Sequence, residues 1–260
     1  MADTLCAPIM SAMSDRGTSL VTRGVRITRF MLHLLRGLLT VAAAFPFWGP
    51  ARRRSAVQRW SHALLQMLGV QLHVHGEPPL ARPVMLVANH VSWLDICAIN
   101  AAVMVRFIAK SEVRAWPVIG WLSAQTGTLF LERARRRDTA RINDLVADAM
   151  RAGDVVGVFP EGTTTDGSQV LRFHSSLLQP ALLAAAEVQP VALRYARSDG
   201  SLCVEAAYDG DKSLWDTLRL IVAQPAIHAH VWFLPVLPAG ADRRALAQAA
   251  QAVIAARLQS

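Results

Sequence analysis

Cysteine is scarce in this chain: three among 260 residues, at Cys6, Cys97 and Cys203. An odd number at wide spacing excludes a disulfide framework and the paired-cysteine pattern of a structural zinc site, leaving small buried or idle thiols. Lysine is scarcer still, because Lys110 and Lys212 are the only two and the other 25 of the 27 basic residues are arginine. Glycine (15) and proline (13) are too few for a collagen-like chain, and no heptad pattern runs far enough for a coiled coil. With 53% hydrophobic and 18% charged residues, disorder is excluded as the main state. The apolar stretch from Phe30 to Trp48 is interrupted by His33 and Arg36. Its unbroken part, Gly37 to Trp48, spans twelve residues, short of the ~20 that a transmembrane helix needs.

What is present is enough chain for one large domain with a buried core, and a mean hydropathy of +0.29 that points to contact with lipid. The formal charge of +8 is unevenly placed. Residues 1–60 carry nine arginines against Asp3 and Asp15, a net of +7, while the other 200 residues carry 18 basic and 17 acidic groups. Nucleic-acid binding calls for a basic face on the folded body with interleaved aromatics; that pattern is missing, and no nucleic acid is expected as a partner. In the N-terminal segment, Arg23, Arg26 and Arg29 precede the apolar stretch and three arginines at 52–54 follow it. A central arginine is costly in a bilayer, whereas basic flanks with Phe and Trp at one end suit an interfacial helix on anionic lipid. Monotopic attachment to a membrane surface therefore leads, with a single span second. A signal peptide is opposed by Arg36 inside the run and by the arginines after it. An ordinary amphipathic helix packed on the domain is the other alternative. The expected organisation is a disordered leader over 1–24, a membrane-associated helix over 25–50 and one globular domain over 51–260.

Helical spacing marks Arg54–Val70, Trp93–Ala101, Asp138–Arg151, Ser175–Ala186, Leu214–Val222 and Asp242–Arg257. Short apolar runs mark strands at Val70–Val74, Pro83–Ala88, Val103–Ala109, Thr128–Leu131, Val155–Phe159, Pro190–Tyr195, Leu202–Ala207 and His228–Leu234. The alternation implies a single α/β domain with a central, mostly buried mixed sheet flanked by helices.

In such sheets active groups gather where strands run into loops. At 84–95, an apolar strand ends at Ala88 and is followed by Asn89, His90, Ser92 and Asp95. His90 is a natural general base near neutral pH, and Asp95, about one turn on, can orient it and stabilise its charged form. Ser92 and Asp95 also have capping-box spacing, which needs no chemistry at all. At 154–167, a buried strand runs into Pro160, Glu161, Gly162 and three threonines, a loop that offers N–H groups, hydroxyls and a carboxylate to a polar ligand or is simply a solvated turn. Between them, Arg133 follows a strand and can bind an anion, while Arg135 to Arg137 read as a solvated basic loop. His73, His75, His228 and His230 could share a strand face, but without carboxylates they do not make a metal site, and no metal is expected.

Together these segments resemble the PlsC-type glycerolipid acyltransferases, which include 1-acylglycerol-3-phosphate acyltransferases. Asn89, His90, Ser92 and Asp95 match that family's NHxSxxD box; Gly127, Phe130 and Arg133 match the second block; Phe159, Pro160, Glu161, Gly162 and Thr163 match FPEGT; and Val188-Gln189-Pro190-Val191 matches the fourth, proline-containing strand. The resemblance implies acyl transfer from a thioester, acyl-CoA or acyl carrier protein, to the hydroxyl of a membrane lysolipid. It implies His90 as base, Asp95 as its partner, no metal or other cofactor, and acceptor binding by Arg133, Glu161, Gly162 and Thr163. Acyl thioesters are cytoplasmic, so the cytoplasmic face of a bacterial inner membrane is the expected location. One departure matters: phosphatidate-forming members commonly read FPEGTR, and Thr164 stands here for that phosphate-binding arginine. Arg172 could replace it, or the acceptor lacks a phosphate, as in the lyso-ornithine lipid branch that FPEGTTTDG also resembles. Lysophosphatidate, as the broader class, leads as acceptor. A non-catalytic lipid-binding protein on the same fold is the alternative from another class; a soluble hydrolase would need a nucleophile beside His90, where Ser92 is poorly placed.

Overall fold

The computed structural model describes residues 17–79, 83–131, 136–238, 240 and 242–260, with backbone alone at 131 and 136–139. Among these residues seven strands form one sheet: β1 (Val70–His75), β2 (Val84–Ala88), β3 (Arg106–Lys110), β4 (Leu129–Leu131), β5 (Val156–Val158), β6 (Glu187–Ala196) and β7 (Ile227–Phe233), in the order β1-β7-β6-β2-β5-β3-β4. The β6–β7 pair is antiparallel and every other pair parallel, so the sheet is mixed. β2 and β5 are buried on both faces, which is why they read as unbroken apolar runs, whereas β7 alternates. In β2, Val84, Leu86 and Ala88 join one core and Met85 and Val87 the other. The first core lies under α2 (Pro50–Leu68), α3 (Leu94–Ala102) and α8 (Leu214–Ala223); the second lies under α6 (Arg136–Arg151) and α9 (Arg243–Gln259).

Most expected elements are present with their ends shifted by a few residues, and three differ in kind. Leu202–Ala207 is not a strand. Leu202 makes one bridge to Ala196, and Val204–Ala206 then turns as a 3-10 helix, held where Arg197 grips Glu205 through both carboxylate oxygens at 2.6 and 2.7 Å. The helix expected at Ser175–Ala186 is split into a 3-10 turn (Ser175–Leu178) and the short α7 (Gln179–Leu183), with Pro180, which has no N–H to donate, in the first turn of the second piece. Two short helices, α4 (Ser111–Arg114) and α5 (Ile119–Gln125), were not expected from periodicity because each is too short to show one.

Pro190 lies in β6 between β2 and β7, where a missing N–H should break a ladder. It does not, because β7 has ended at Phe233: Leu234 N–H still donates to the Pro190 carbonyl, and the Leu234 carbonyl takes the side-chain amide of Gln189 at 3.3 Å.

The N-terminal segment departs from the expected boundaries. Residues 1–16 of the expected leader lie outside the described residues, but α1 (Leu20–Ala43) begins within 17–24, capped by Ser19, whose hydroxyl accepts from Thr22 N–H. The start is fixed from outside the segment. Thr18 bonds the carbonyls of Val222 and Ala223, and the Arg26 guanidinium takes those of Val222, Gln224 and Pro225, satisfying the open C-terminal carbonyls of α8. The helix ends at Ala43 instead of running to 50, and Phe45–Phe47 forms a 3-10 turn. Pro50 in the first turn and Gly69 in the left-handed conformation past the end then delimit α2. The two helices meet closely at Gly37, where a Cβ would come within 2.7 Å of the Trp60 indole nitrogen; His33 stacks on Trp60 at 4.9 Å. No helix among the described residues is long and apolar enough to cross a membrane. The single-span alternative therefore has no helix to carry it there.

The four strand histidines pair with one another: His73 Nε2 lies 3.0 Å from His228 Nδ1 and His75 Nε2 lies 3.1 Å from His230 Nδ1. The rings stack into a ladder that ends on Trp232, beneath the Arg257 guanidinium of α9. Burial, with the neighbouring imidazoles and Arg194 of β6, pushes His230 down to about 4. A base whose folded value lies below its unfolded one contributes stability above the unfolded value, and loses it as pH falls through the folded one. Acidification from pH 6.5 to 4 is therefore expected to destabilise the fold through His230. Because the ladder is only partly buried, His230→Asn should remove about 1 kcal/mol of that acid sensitivity. Urea titrations of both proteins at pH 7 and pH 4.5 check this; equal pH dependence would contradict it.

Candidate active site

The β2 strand stops at Ala88, and the Asn89 side chain continues its pairing with β6. Its amide donates to the Leu193 carbonyl at 3.0 Å and its oxygen accepts from Leu193 N–H at 2.7 Å. The direction in which the chain leaves the sheet is thereby set, and His90 follows at once. Both main-chain groups of His90 are held by the loop after β5: its N–H donates to Glu161 Oε1 at 2.7 Å, and its carbonyl accepts from Thr165 N–H at 2.9 Å. Its ring lies flat on Phe159, centroids 4.0 Å apart, and Phe159 lies parallel to Phe107.

Asp95 sits in the first turn of α3 with no solvent exposure and accepts from four donors. Oδ2 takes His90 Nδ1 at 2.7 Å, Val91 N–H at 2.7 Å and Ser92 N–H at 3.0 Å; Oδ1 takes the Tyr195 hydroxyl at 2.7 Å. Only half of a capping box forms at Ser92-x-x-Asp95: the carboxylate reaches back to the Ser92 N–H and also holds the His90 ring, while the Ser92 hydroxyl takes Leu94 N–H instead of that of Asp95. With Nδ1 bound to Asp95, His90 has Nε2 left for a substrate, on a side chain 21% exposed. Such a pair can take a proton at Nε2 and stabilise the imidazolium that forms. Neither Ser92 nor Cys97, the described hydroxyl and thiol nearest to it in sequence, serves it as a nucleophile. Ser92 is fully buried with its hydroxyl accepting from Leu94 N–H, and burial beside Asp95 pushes the Cys97 thiol up to about 12.

The structure brings Glu161, Gly162 and Thr163 to the same loop but gives them different settings. Glu161 is 4% exposed, and its second oxygen accepts from Leu171 N–H at 2.8 Å, so both oxygens are occupied by backbone. Burial raises its pKa above the usual carboxylate value, partly offset by the Leu171 and His90 hydrogen bonds. Gly162 is left-handed at φ +73°, and a Cβ there would touch the His174 ring at 3.4 Å. Thr163 is exposed. Thr164 bonds the Tyr208 carbonyl, and Tyr208 N–H in turn donates to the Val91 carbonyl at 2.9 Å, which ties the loop to the segment behind the histidine. Arg133 lies outside the described residues. Of its block, Gly127 is left-handed, its carbonyl accepting from Arg106 Nε at 2.8 Å.

A family model described as Acyltransferase matches residues 71–194, a span that holds His90, Asp95 and the loop after β5. The chain is 39% identical over 206 residues to a lyso-ornithine lipid O-acyltransferase of Pseudomonas aeruginosa, covering 79% of this chain and 78% of the relative. It belongs to the acyltransferase family. A 1-acyl-sn-glycerol-3-phosphate acyltransferase of Neisseria meningitidis is 38% identical over 201 residues, covering 76% of this chain and 78% of that one. Among solved structures, PlsC from Thermotoga maritima superposes with a TM-score of 0.64 at 20% identity, covering 90% of this chain and 96% of that one, which supports the α/β fold. The protein is thus an enzyme that transfers acyl groups.

Reading the sequence missed two parts of this candidate site. One is Tyr195, a tyrosine inside a buried apolar strand; a buried hydroxyl requires a partner, and that requirement was the available signal. The other is the role of Asn89 and Thr165 in fixing the His90 main chain, which depends on strand order and leaves no mark in local spacing.

Proposed function

We propose that this acyltransferase acylates the free hydroxyl of a lysolipid, with lyso-ornithine lipid as its acceptor and acyl-CoA or acyl carrier protein as its donor. The acceptor hydroxyl gives its proton to His90 Nε2 as its oxygen forms a bond to the thioester carbonyl carbon. The tetrahedral oxyanion collapses, the carbon–sulfur bond breaks, and the thiol leaves with the proton returned by His90. Asp95 holds the ring by Nδ1 and balances the imidazolium; no cofactor is needed. Glu161 acts by positioning His90 through its main chain, Gly162 and Thr163 follow it in the loop assigned to the acceptor's polar head, and Arg133 is assigned to the same head by its motif alone.

The observation that carries the acceptor is Thr164. Where a phosphate-binding arginine would stand, its hydroxyl is turned to the Tyr208 carbonyl and offers a phosphate no charge. Lysophosphatidate is the second reading, favoured by exposed Arg172 further along the same loop region. Purified enzyme in detergent, given both acceptors with CoA and carrier-protein donors, should favour lyso-ornithine lipid in kcat/KM by at least about tenfold. Thr164→Arg should narrow that ratio. Turnover of lysophosphatidate alone would overturn the assignment.

The same proposal places the enzyme on the cytoplasmic face of a bacterial inner membrane, attached without spanning it. On α1 the residues Val21, Val25, Leu32, Leu35 and Leu39 form an exposed apolar stripe, with exposed Phe47 beyond it and exposed Arg29, Arg36 and Arg52 at its margins. An apolar face of this kind, bordered by cations, suits the interface of an anionic bilayer. Flotation with vesicles containing anionic lipid should recover the protein, and the triple change Leu32→Glu, Leu35→Glu, Leu39→Glu should leave it unbound. Equal flotation of the two proteins would contradict attachment through α1.

A further inference from the structure

We infer that Tyr195 is a positioning residue for the reaction: its hydroxyl holds Oδ1 of Asp95 and so keeps Oδ2 aimed at His90. The inference rests on the His90–Asp95 reading given above. Tyr195 is 1% exposed and Asp95 is fully buried, and their 2.7 Å hydrogen bond spans 100 residues of sequence. Oδ2 serves His90 Nδ1, Val91 N–H and Ser92 N–H at once, three donors from one short stretch of chain. The carboxylate can keep all three only at one rotation about its Cβ–Cγ bond, and Tyr195, the donor on Oδ1, pins that rotation from the opposite side.

Strand β6 therefore sets both halves of the site from one face. Leu193 fixes Asn89 and the exit of β2, and Tyr195, two residues on and in the same core, fixes the carboxylate. The phenol remains a donor throughout, since burial first and the Asp95 charge next push its pKa well above the ordinary value. A donor on Oδ1 also draws charge away from Oδ2. Removing it makes the carboxylate a stronger partner for the imidazolium and so favours the charged ring.

Tyr195→Phe keeps the ring and deletes only the hydroxyl. Its kcat should fall about tenfold with KM within about twofold, and the acidic limb of kcat/KM should move to higher pH by about half a unit or more. The chain has two tyrosines, so growth on 3-fluorotyrosine changes Tyr195 and Tyr208 alone. A more acidic phenol is a stronger donor, and the labelled enzyme, in a Tyr208→Phe background, should shift the same limb to lower pH. A merely structural tyrosine moves neither limb. Wild-type kcat and an unmoved limb in Tyr195→Phe would overturn the inference, as would a labelled enzyme that does not shift; the second measurement stands if the first variant does not fold. His90→Ala in parallel separates the cases: activity persisting there means that the underlying reading has failed, not the role of Tyr195.

Discussion

Replacing His90 with alanine should lower kcat by about 10³-fold or more while leaving the fold in place. General base catalysis by a positioned histidine contributes roughly 10² to 10⁴ in rate. Ser92 is buried and turned to Leu94, and the Cys97 thiol is held protonated. The fold tolerates the change for local reasons. The ring is one-fifth exposed, so the gap it leaves opens to water, and its main-chain bonds to Glu161 and Thr165 do not involve the side chain. Asp95 loses one donor of four and keeps two N–H groups and the Tyr195 hydroxyl. Turnover with saturating acceptor, measured beside a thermal unfolding curve, checks both halves. A variant retaining a tenth of wild-type kcat would remove His90 from the chemistry.

The sheet was legible because strands buried on both faces stand out as apolar runs, as in Val84–Ala88 and the Pro190–Leu193 part of β6. Strand order was not, since the pairing of β1 with β7 and the antiparallel turn of β7 are decided by long-range packing. Leu202–Ala207 has a strand's composition, yet Arg197 and Glu205 close it into a turn, an interaction no window of local periodicity contains. The start of α1 was misplaced for a similar reason. Ser19 is a local start signal of a common kind, and it is the carbonyl ends of α8, some 200 residues away, that hold Thr18 and Arg26 and so fix the start there.

For the site, the box Asn89–Asp95 carries its own geometry, because a carboxylate one turn beyond the histidine can reach both the ring and the backbone between them. Glu161 shows where local reading ends. A carboxylate in a threonine- and glycine-rich loop reads as a ligand group, yet the fold places it under the His90 main chain with both oxygens bound. Its distance from His90 in sequence, 71 residues, is bridged only by the pairing of β2 with β5. Tyr195 is the same case at 100 residues.

Asp95→Asn should separate charge from geometry at this site. The amide oxygen can take the place of Oδ2 and accept from His90 Nδ1, Val91 N–H and Ser92 N–H. The amide NH2 then faces Tyr195, whose hydroxyl can turn from donor to acceptor. The ring and both backbone N–H groups stay paired, while one amide N–H and the phenolic hydrogen lose their acceptor, so the variant should fold with its stability lowered by about 1–3 kcal/mol. What disappears is the negative charge beside the imidazolium, in a position with no solvent to replace it. A loss of about 10² to 10⁴ in kcat is expected. The acidic limb of any residual activity should move to lower pH, because the charged ring has lost its counterion, which is the opposite of the shift expected for Tyr195→Phe. Asp95→Ala is a different experiment. It strands two backbone N–H groups and a phenol in the core, at about 1–3 kcal/mol each, and should lose the fold along with the activity. If Asp95→Asn instead turned over within tenfold of wild type, the carboxylate would serve only to hold His90 in place, and its charge would have no part in the reaction.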